Sequence, residues 1–140
     1  LVGRSLRKRR LYFIMPRRKI SKRKSIVRKL DKIVSLIIRK TTPYCVVCGT
    51  TQFLQNGHLF SRTAYNTRWD ISEDGNCHTQ CRGCNLRHER DFYPYSNWYV
   101  EKFGKDKYDI VHRRYRTVNK FSTPQLEDLY LELKEHYDNL

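Results

Sequence analysis

Cys45-Val46-Val47-Cys48 and Cys81-Arg82-Gly83-Cys84-Asn85 form the two ends of a bracket that encloses Gly57-His58 and Asn76. Two C-x-x-C pairs separated by 32 residues have the ligand spacing of one tetrahedral Zn²⁺. Closing that ring forces the enclosed segment into a compact unit in which His58, Asn76 and Asn85 face one another. Disulfides are the rival use of four cysteines, and they need an oxidising compartment. The only apolar stretch near the start, Leu11-Tyr12-Phe13-Ile14-Met15, is too short for a secretory h-region. The expectation is therefore a reduced chain with one structural zinc on Cys45, Cys48, Cys81 and Cys84. The fifth cysteine, Cys77, follows Asn76 in an extended stretch and reads as a small buried packing side chain.

Outside the bracket, charge is the next strongest signal. The chain has 140 residues and a formal net charge of +15, and residues 1–40 hold 16 Lys/Arg against Asp31 alone. Residues 41–140 are balanced, with 13 basic and 13 acidic side chains. A basic arm ahead of a neutral domain points to a polyanion, most simply DNA, bound through phosphate contacts that release counterions. The arm residues are Arg7, Lys8, Arg9, Arg10, Arg17, Arg18 and Lys19, and the bland alternative is a solvated tail. No run approaches the ~18 apolar residues of a membrane span. Met15 is the only methionine, so residues 1–14 read either as an upstream extension or as vector-derived. Their origin stays open at this level.

Hydrophobic periodicity supplies the flanking elements. Ile26, Val27, Leu30, Ile33, Val34 and Ile37 recur at three- and four-residue steps and predict an amphipathic helix over 25–40, stopped by Thr41-Thr42-Pro43. Phe53-Leu54-Gln55 and the residues after His58 read as the strands of a hairpin, with a polar loop from Thr63 to Thr67. Trp69-Asp70-Ile71 and Asn76-Cys77-His78 lead back in extended form, and a helix carrying Asn85 starts at the second cysteine pair. Trp98, Tyr99, Val100 and Phe103 predict a helix ended by Gly104, and Ile110, Val111 and Tyr115 a further short one. Ser122-Thr123-Pro124-Gln125 is an N-cap, a first-turn proline and a capping-box glutamine, followed by a stripe of Leu126, Leu129, Tyr130, Leu133 and Tyr137.

The bracketed unit holds the parts of a phosphodiester hydrolase. That reaction needs a base to activate water and a divalent cation to neutralise charge on phosphorus and the leaving oxygen. It also needs a group that fixes the base in one tautomer. His58 is the candidate general base, because a neutral imidazole accepts a proton near pH 7. Asn85 offers a carboxamide oxygen to Mg²⁺ or Mn²⁺, and Asn76 braces the loop opposite the histidine. The carbonyl of a strand neighbour is expected to orient the imidazole.

Gly57-His58, the run Asn76-Cys77-His78-Thr79-Gln80-Cys81 and Cys84-Asn85 resemble the HNH (ββα-metal, His-Me finger) nucleases, including the nine-residue step from Asn76 to Asn85. Within that superfamily the chain is most similar to the lambdoid phage NinG/Rap recombination endonucleases, over Cys45 to Asp91 and on through Tyr95 to Tyr137. The resemblance implies an α+β fold: a small zinc-stabilised ββα-metal unit flanked by an N-terminal basic helix and C-terminal helices. Together with charge and periodicity, it divides the chain into an arm (1–24), a helix (25–40), a nuclease core (41–93) and a helical region (94–140). It further implies a bacteriophage endonuclease acting in the host cytoplasm, associated with the nucleoid through DNA, on Holliday junctions or D-loops. A preference for junctions implies shape reading and a homodimer with two sites on opposing strands.

Gly57 departs from the wider pattern, in which Asp or His before the base gives the metal a second ligand. His88 and Glu89, three and four residues after Asn85, are the replacements available on that helix face, with His88 preferred. Arg62, Arg87 and Arg90 lie near enough in sequence to hold phosphates. His78 reads as a hydrogen-bonding structural residue, and His112 and His136 carry no signal. The competing function is a non-catalytic zinc-ribbon nucleic-acid-binding protein, for which His58 and Asn85 would have no use. A zinc deaminase is a poor third reading, because no H-x-E precedes the second cysteine pair.

Overall fold

The computed structural model describes residues 15–140. Helix α1 (Lys22–Thr41) begins where the Ser21 hydroxyl accepts a hydrogen bond from the Lys24 amide at 3.2 Å, three residues earlier than periodicity alone indicates. Its apolar stripe, Ile26, Leu30, Ile33, Val34, Ile37 and Ile38, is buried. Strand β1 (Leu54–His58) pairs antiparallel with β2 (Cys77–Cys81), Gly57 opposite His78 and His58 opposite Cys77. Between them lies a short helix, α2 (Tyr65–Arg68), and after β2 come α3 (Arg82–His88), α4 (Tyr93–Phe103), α5 (Lys105–Arg116) and α6 (Thr123–Asp138). The architecture is mixed α+β with a single two-stranded sheet among the described residues.

Two apolar clusters hold these elements. The first joins the α1 stripe to Trp69, Cys77, Leu126 and Leu133, so that the last helix, α6, lies along the first, α1. The second joins Leu59 and Phe60 to Tyr95, Tyr99 and Val111 of α4 and α5. A fully buried side chain of this size contributes about 1.5–3 kcal/mol, so α1 and α6 are integral to the fold rather than appended to it. The α6 cap forms as expected, with Ser122 Oγ accepting from the Gln125 amide and Gln125 Oε1 accepting from the Ser122 amide. Gly104 (φ 91°) both ends α4 and opens α5, a left-handed conformation that a Cβ would oppose.

One expectation fails. The residues after His58 do not form the second strand of a hairpin; β1 pairs instead with the segment around Cys77-His78. The Asn76 carboxamide accepts from the Phe60 amide at 2.8 Å and donates to the Phe60 carbonyl at 2.9 Å, taking both backbone groups a strand would have used. Leu59 and Phe60 turn into the second core, and the loop expected over Thr63–Thr67 holds α2.

Candidate active site and metal centre

The sequence reaches the cysteine cluster through two tight turns. The Cys45 amide donates to Thr50 O and the Gly49 amide to Cys45 O, with Gly49 at φ 78°, while β2 delivers Cys81 and the first turn of α3 delivers Cys84. The ligand sulfurs of Cys45, Cys48, Cys81 and Cys84 lie within 4.8 Å of one another, and Cys48 Sγ is 3.7 Å from Cys81 Sγ. A tetrahedron with Zn–S bonds of about 2.3 Å has edges of about 3.8 Å, so these four residues fit the ion. Their electrostatics agree. Burial acts to raise the Cys45 thiol, but the backbone N–H groups of Cys48, Cys81 and Val47 outweigh it and bring the pKa to about 7. The Cys84 thiol is pushed up, by burial first and then by the three neighbouring sulfurs. Four thiolates this close repel, and a dication resolves that conflict. Cys77 stands apart in the first core, its pKa raised by burial to about 12, as a packing residue.

His58, at the end of β1, and Asn85, on α3, border one cavity of about 590 Å³, together with Asn56, Arg62, His88 and Glu89. His58 Nε2 lies 2.9 Å from the Arg68 carbonyl. A carbonyl only accepts, so Nε2 carries the proton and Nδ1 keeps its lone pair. The orienting carbonyl belongs to the last residue of α2 and not to a strand neighbour. Burial is the largest influence on His58 and lowers its pKa, outweighing the Arg68 carbonyl and Asp31, so the ring is neutral at pH 7. Asn76, fully buried, braces Phe60 two residues beyond His58. Asn85 Nδ2 donates to Gln55 Oε1 at 2.9 Å, which leaves its Oδ1 available.

The two residues expected as a second ligand, His88 and Glu89, both border the cavity but differ in exposure. His88 is buried, with Nε2 donating to the Leu59 carbonyl at 2.8 Å and Nδ1 enclosed without a partner. Glu89 is exposed and borders the same two cavities as Asn85. Gly57 also acquires a reason: a Cβ there would lie 2.1 Å from Gln80 Oε1, and Gln80 is only 1% exposed. The space that a side chain before His58 would fill is taken by Gln80. Of the arginines, Arg62 borders the cavity, Arg87 pairs with Asp91 at 3.4 Å, and Arg90 does not line it. Arg17, Arg18 and Lys19 are exposed and non-helical, whereas Arg7, Lys8, Arg9 and Arg10 fall outside the described residues.

Residues that periodicity and motif did not single out complete the surroundings. Asp31 takes Arg68 Nε and Nη2 at 2.8 and 2.7 Å and Trp69 Nε1 at 2.8 Å, and so fixes the end of α2 whose carbonyl holds His58. Its isolation as the one acid among sixteen cations was the available signal. His78 donates from Nε2 to Glu73 O at 2.8 Å and, kept neutral first by burial, accepts the Tyr95 hydroxyl at Nδ1 at 2.7 Å. Both contacts are structural.

No described helix is long and apolar enough to cross a membrane. Searches of curated proteins and of solved structures gave no match. The family model described as Bacteriophage Lambda NinG protein matches residues 4–140. With nearly the whole chain covered by that one model, the protein belongs to the bacteriophage lambda NinG family.

Proposed function

We infer that this chain is a metal-dependent DNA endonuclease that hydrolyses phosphodiester bonds in branched recombination intermediates, Holliday junctions or D-loops. The observation that carries the reading is the convergence of His58 and Asn85 on one cavity. Family membership and the basic arm support it.

His58 Nδ1 takes the proton of the attacking water, while the Arg68 carbonyl holds Nε2–H and prevents the other tautomer. Asn76 keeps Phe60, and with it the turn after the base, in place. Asn85 Oδ1 and the Glu89 carboxylate are hard oxygen donors of the kind Mg²⁺ or Mn²⁺ selects. When bound there, such an ion supplies charge neutralisation at phosphorus and the leaving oxygen. Arg62 at the cavity rim steadies the phosphate. The cysteine centre sits one residue before Asn85 and so fixes the start of α3 that carries it.

The test is cleavage of labelled linear, single-stranded, D-loop and four-way-junction DNA with Mg²⁺, Mn²⁺ or EDTA. Wild type should cut branched DNA only with metal, and His58→Ala should be ~10²-fold slower with zinc content and melting unchanged. Equal rates for the two proteins would exclude His58 as the base. Binding of all substrates without cleavage of any would leave the zinc-ribbon binder.

A further inference from the structure

Thr63 borders two cavities at once. On one side is the cavity of His58 and Asn85, and on the other a groove of about 440 Å³ between α2 and the segment that follows α5. Tyr65, Asn66, Tyr115, Arg116 and Asn119 line that groove. Its walls are held rigidly: Asn66 Nδ2 donates to Arg114 O at 2.7 Å, Asn119 Nδ2 donates to Asn66 Oδ1 at 2.9 Å, and Arg114 is anchored on Asp70 at 2.7 Å.

Charge identifies what the groove accepts. Arg62 stands at the cavity end, Arg116 in the wall, Lys120 just beyond it, and Arg23 over the Tyr65 ring at 5.6 Å. All four are exposed, and among the described residues none has a carboxylate partner. Their neighbours differ: Arg68 is paired with Asp31, Arg114 with Asp70 and Lys22 with Glu127. No acidic side chain lines the groove. Like charges gathered without paired carboxylates repel, and a polyanion laid along them relieves that repulsion. The aromatic rings give no platform for an unstacked base, because Tyr65 is covered by Arg23 and Arg68 and Tyr115 is stacked on Phe60. The groove therefore suits a phosphate backbone rather than splayed bases.

We propose that this groove carries the phosphate backbone of the DNA arm leading to the catalytic cavity, with Thr63 as the point where the two meet. The proposal rests on the nucleic-acid reading of the site and extends it to residues outside the arm and the cavity. Arg116→Gln combined with Lys120→Gln removes two cations with little change in size. Binding of fluorescent duplex and four-way-junction DNA is followed by anisotropy in EDTA between about 50 and 200 mM salt, so that no cleavage is required. Zinc content, melting and sedimentation are measured on the same samples, with Lys134→Gln on α6 as the control.

The double variant should bind at least about tenfold more weakly, and the slope of log K against log salt should shrink by about 1.8, or 0.9 per lost phosphate contact. Arg116→Glu with Lys120→Glu should weaken binding further. Affinities and slopes equal to wild type overturn the groove alone. A wild-type protein without salt-dependent DNA binding overturns the nucleic-acid reading and the groove together. Changed sedimentation with unchanged DNA affinity assigns the groove to a protein contact and also overturns the proposal.

Discussion

Asp31→Ala tests the link between the first core and the site. The carboxylate receives three hydrogen bonds, two from Arg68 and one from Trp69 Nε1. A bond to a charged group nets about 1.5–3 kcal/mol, but three on one carboxylate do not add. Breaking a fully buried pair costs about 3–5 kcal/mol and an exposed one about 0–1. Side-chain exposures of 30% for Asp31 and 15% for Arg68 place this pair between the two, at about 2–3 kcal/mol. Part of that cost is the Trp69 Nε1–H, left without an acceptor on a residue only 5% exposed.

For a domain of this size the loss corresponds to roughly 10 °C in Tm. Asp31→Asn retains an acceptor for Trp69 and should lose about half as much. The pH dependence separates an ionic from a packing origin. Burial acts to raise the Asp31 pKa, but the bonds from Arg68 and Trp69 and the charges of Arg68 and Arg62 outweigh it, and the pKa is lowered. A carboxylate with a lowered folded pKa contributes its full stability above the unfolded value, about 3.9, and loses it as pH falls through the folded value. The Tm gap between wild type and Asp31→Ala should thus be constant from about pH 5 to 8 and close only below about pH 4. Calorimetry or circular dichroism melts measure both quantities. A variant within about 2 °C of wild type at pH 7, or a gap that closes near pH 6, would refute the reasoning.

Cys45→Ser should lose zinc and unfold the domain at ambient temperature, because structural zinc binding is folding free energy; unchanged metal content by mass spectrometry with an unchanged melt would dismiss the centre. Deleting residues 1–20 removes eight Lys/Arg but keeps the Ser21 cap, and should weaken all DNA binding and flatten its salt slope while leaving the cut position unaltered. An identical slope would mean that the arm does not touch phosphates. Burial lowers the pKa of both His58 and His78, so the unfolded chain takes up these protons first and stability should decline as pH drops below about 6.5. The acid limb of cleavage should likewise have its midpoint below 6.5, and a midpoint above about 7 would contradict a neutral, desolvated base.

The sequence alone determined the local and covalent features. Four cysteines at fixed spacing have few other uses, the α1 and α6 stripes repeat at the helical period, and Ser122-Thr123-Pro124-Gln125 is a complete cap. Each of these signals lies within a few residues of the structure it specifies, or in a ligand pattern that a metal reads directly. Which strand pairs with β1 was decided elsewhere, by a buried carboxamide sixteen residues from Phe60 that occupies its backbone amide and carbonyl. The orientation of His58 depends on a carbonyl ten residues away, and that carbonyl is held by an aspartate 37 residues from Arg68. His88 and Glu89 lie next to each other at the end of α3 and both border the cavity, and only the packing of α3 against Leu59 buried the first and left the second exposed. Periodicity encodes which face of an element is buried; the direction of a single polar side chain follows from whichever distant donor or acceptor the finished fold brings within about 3 Å.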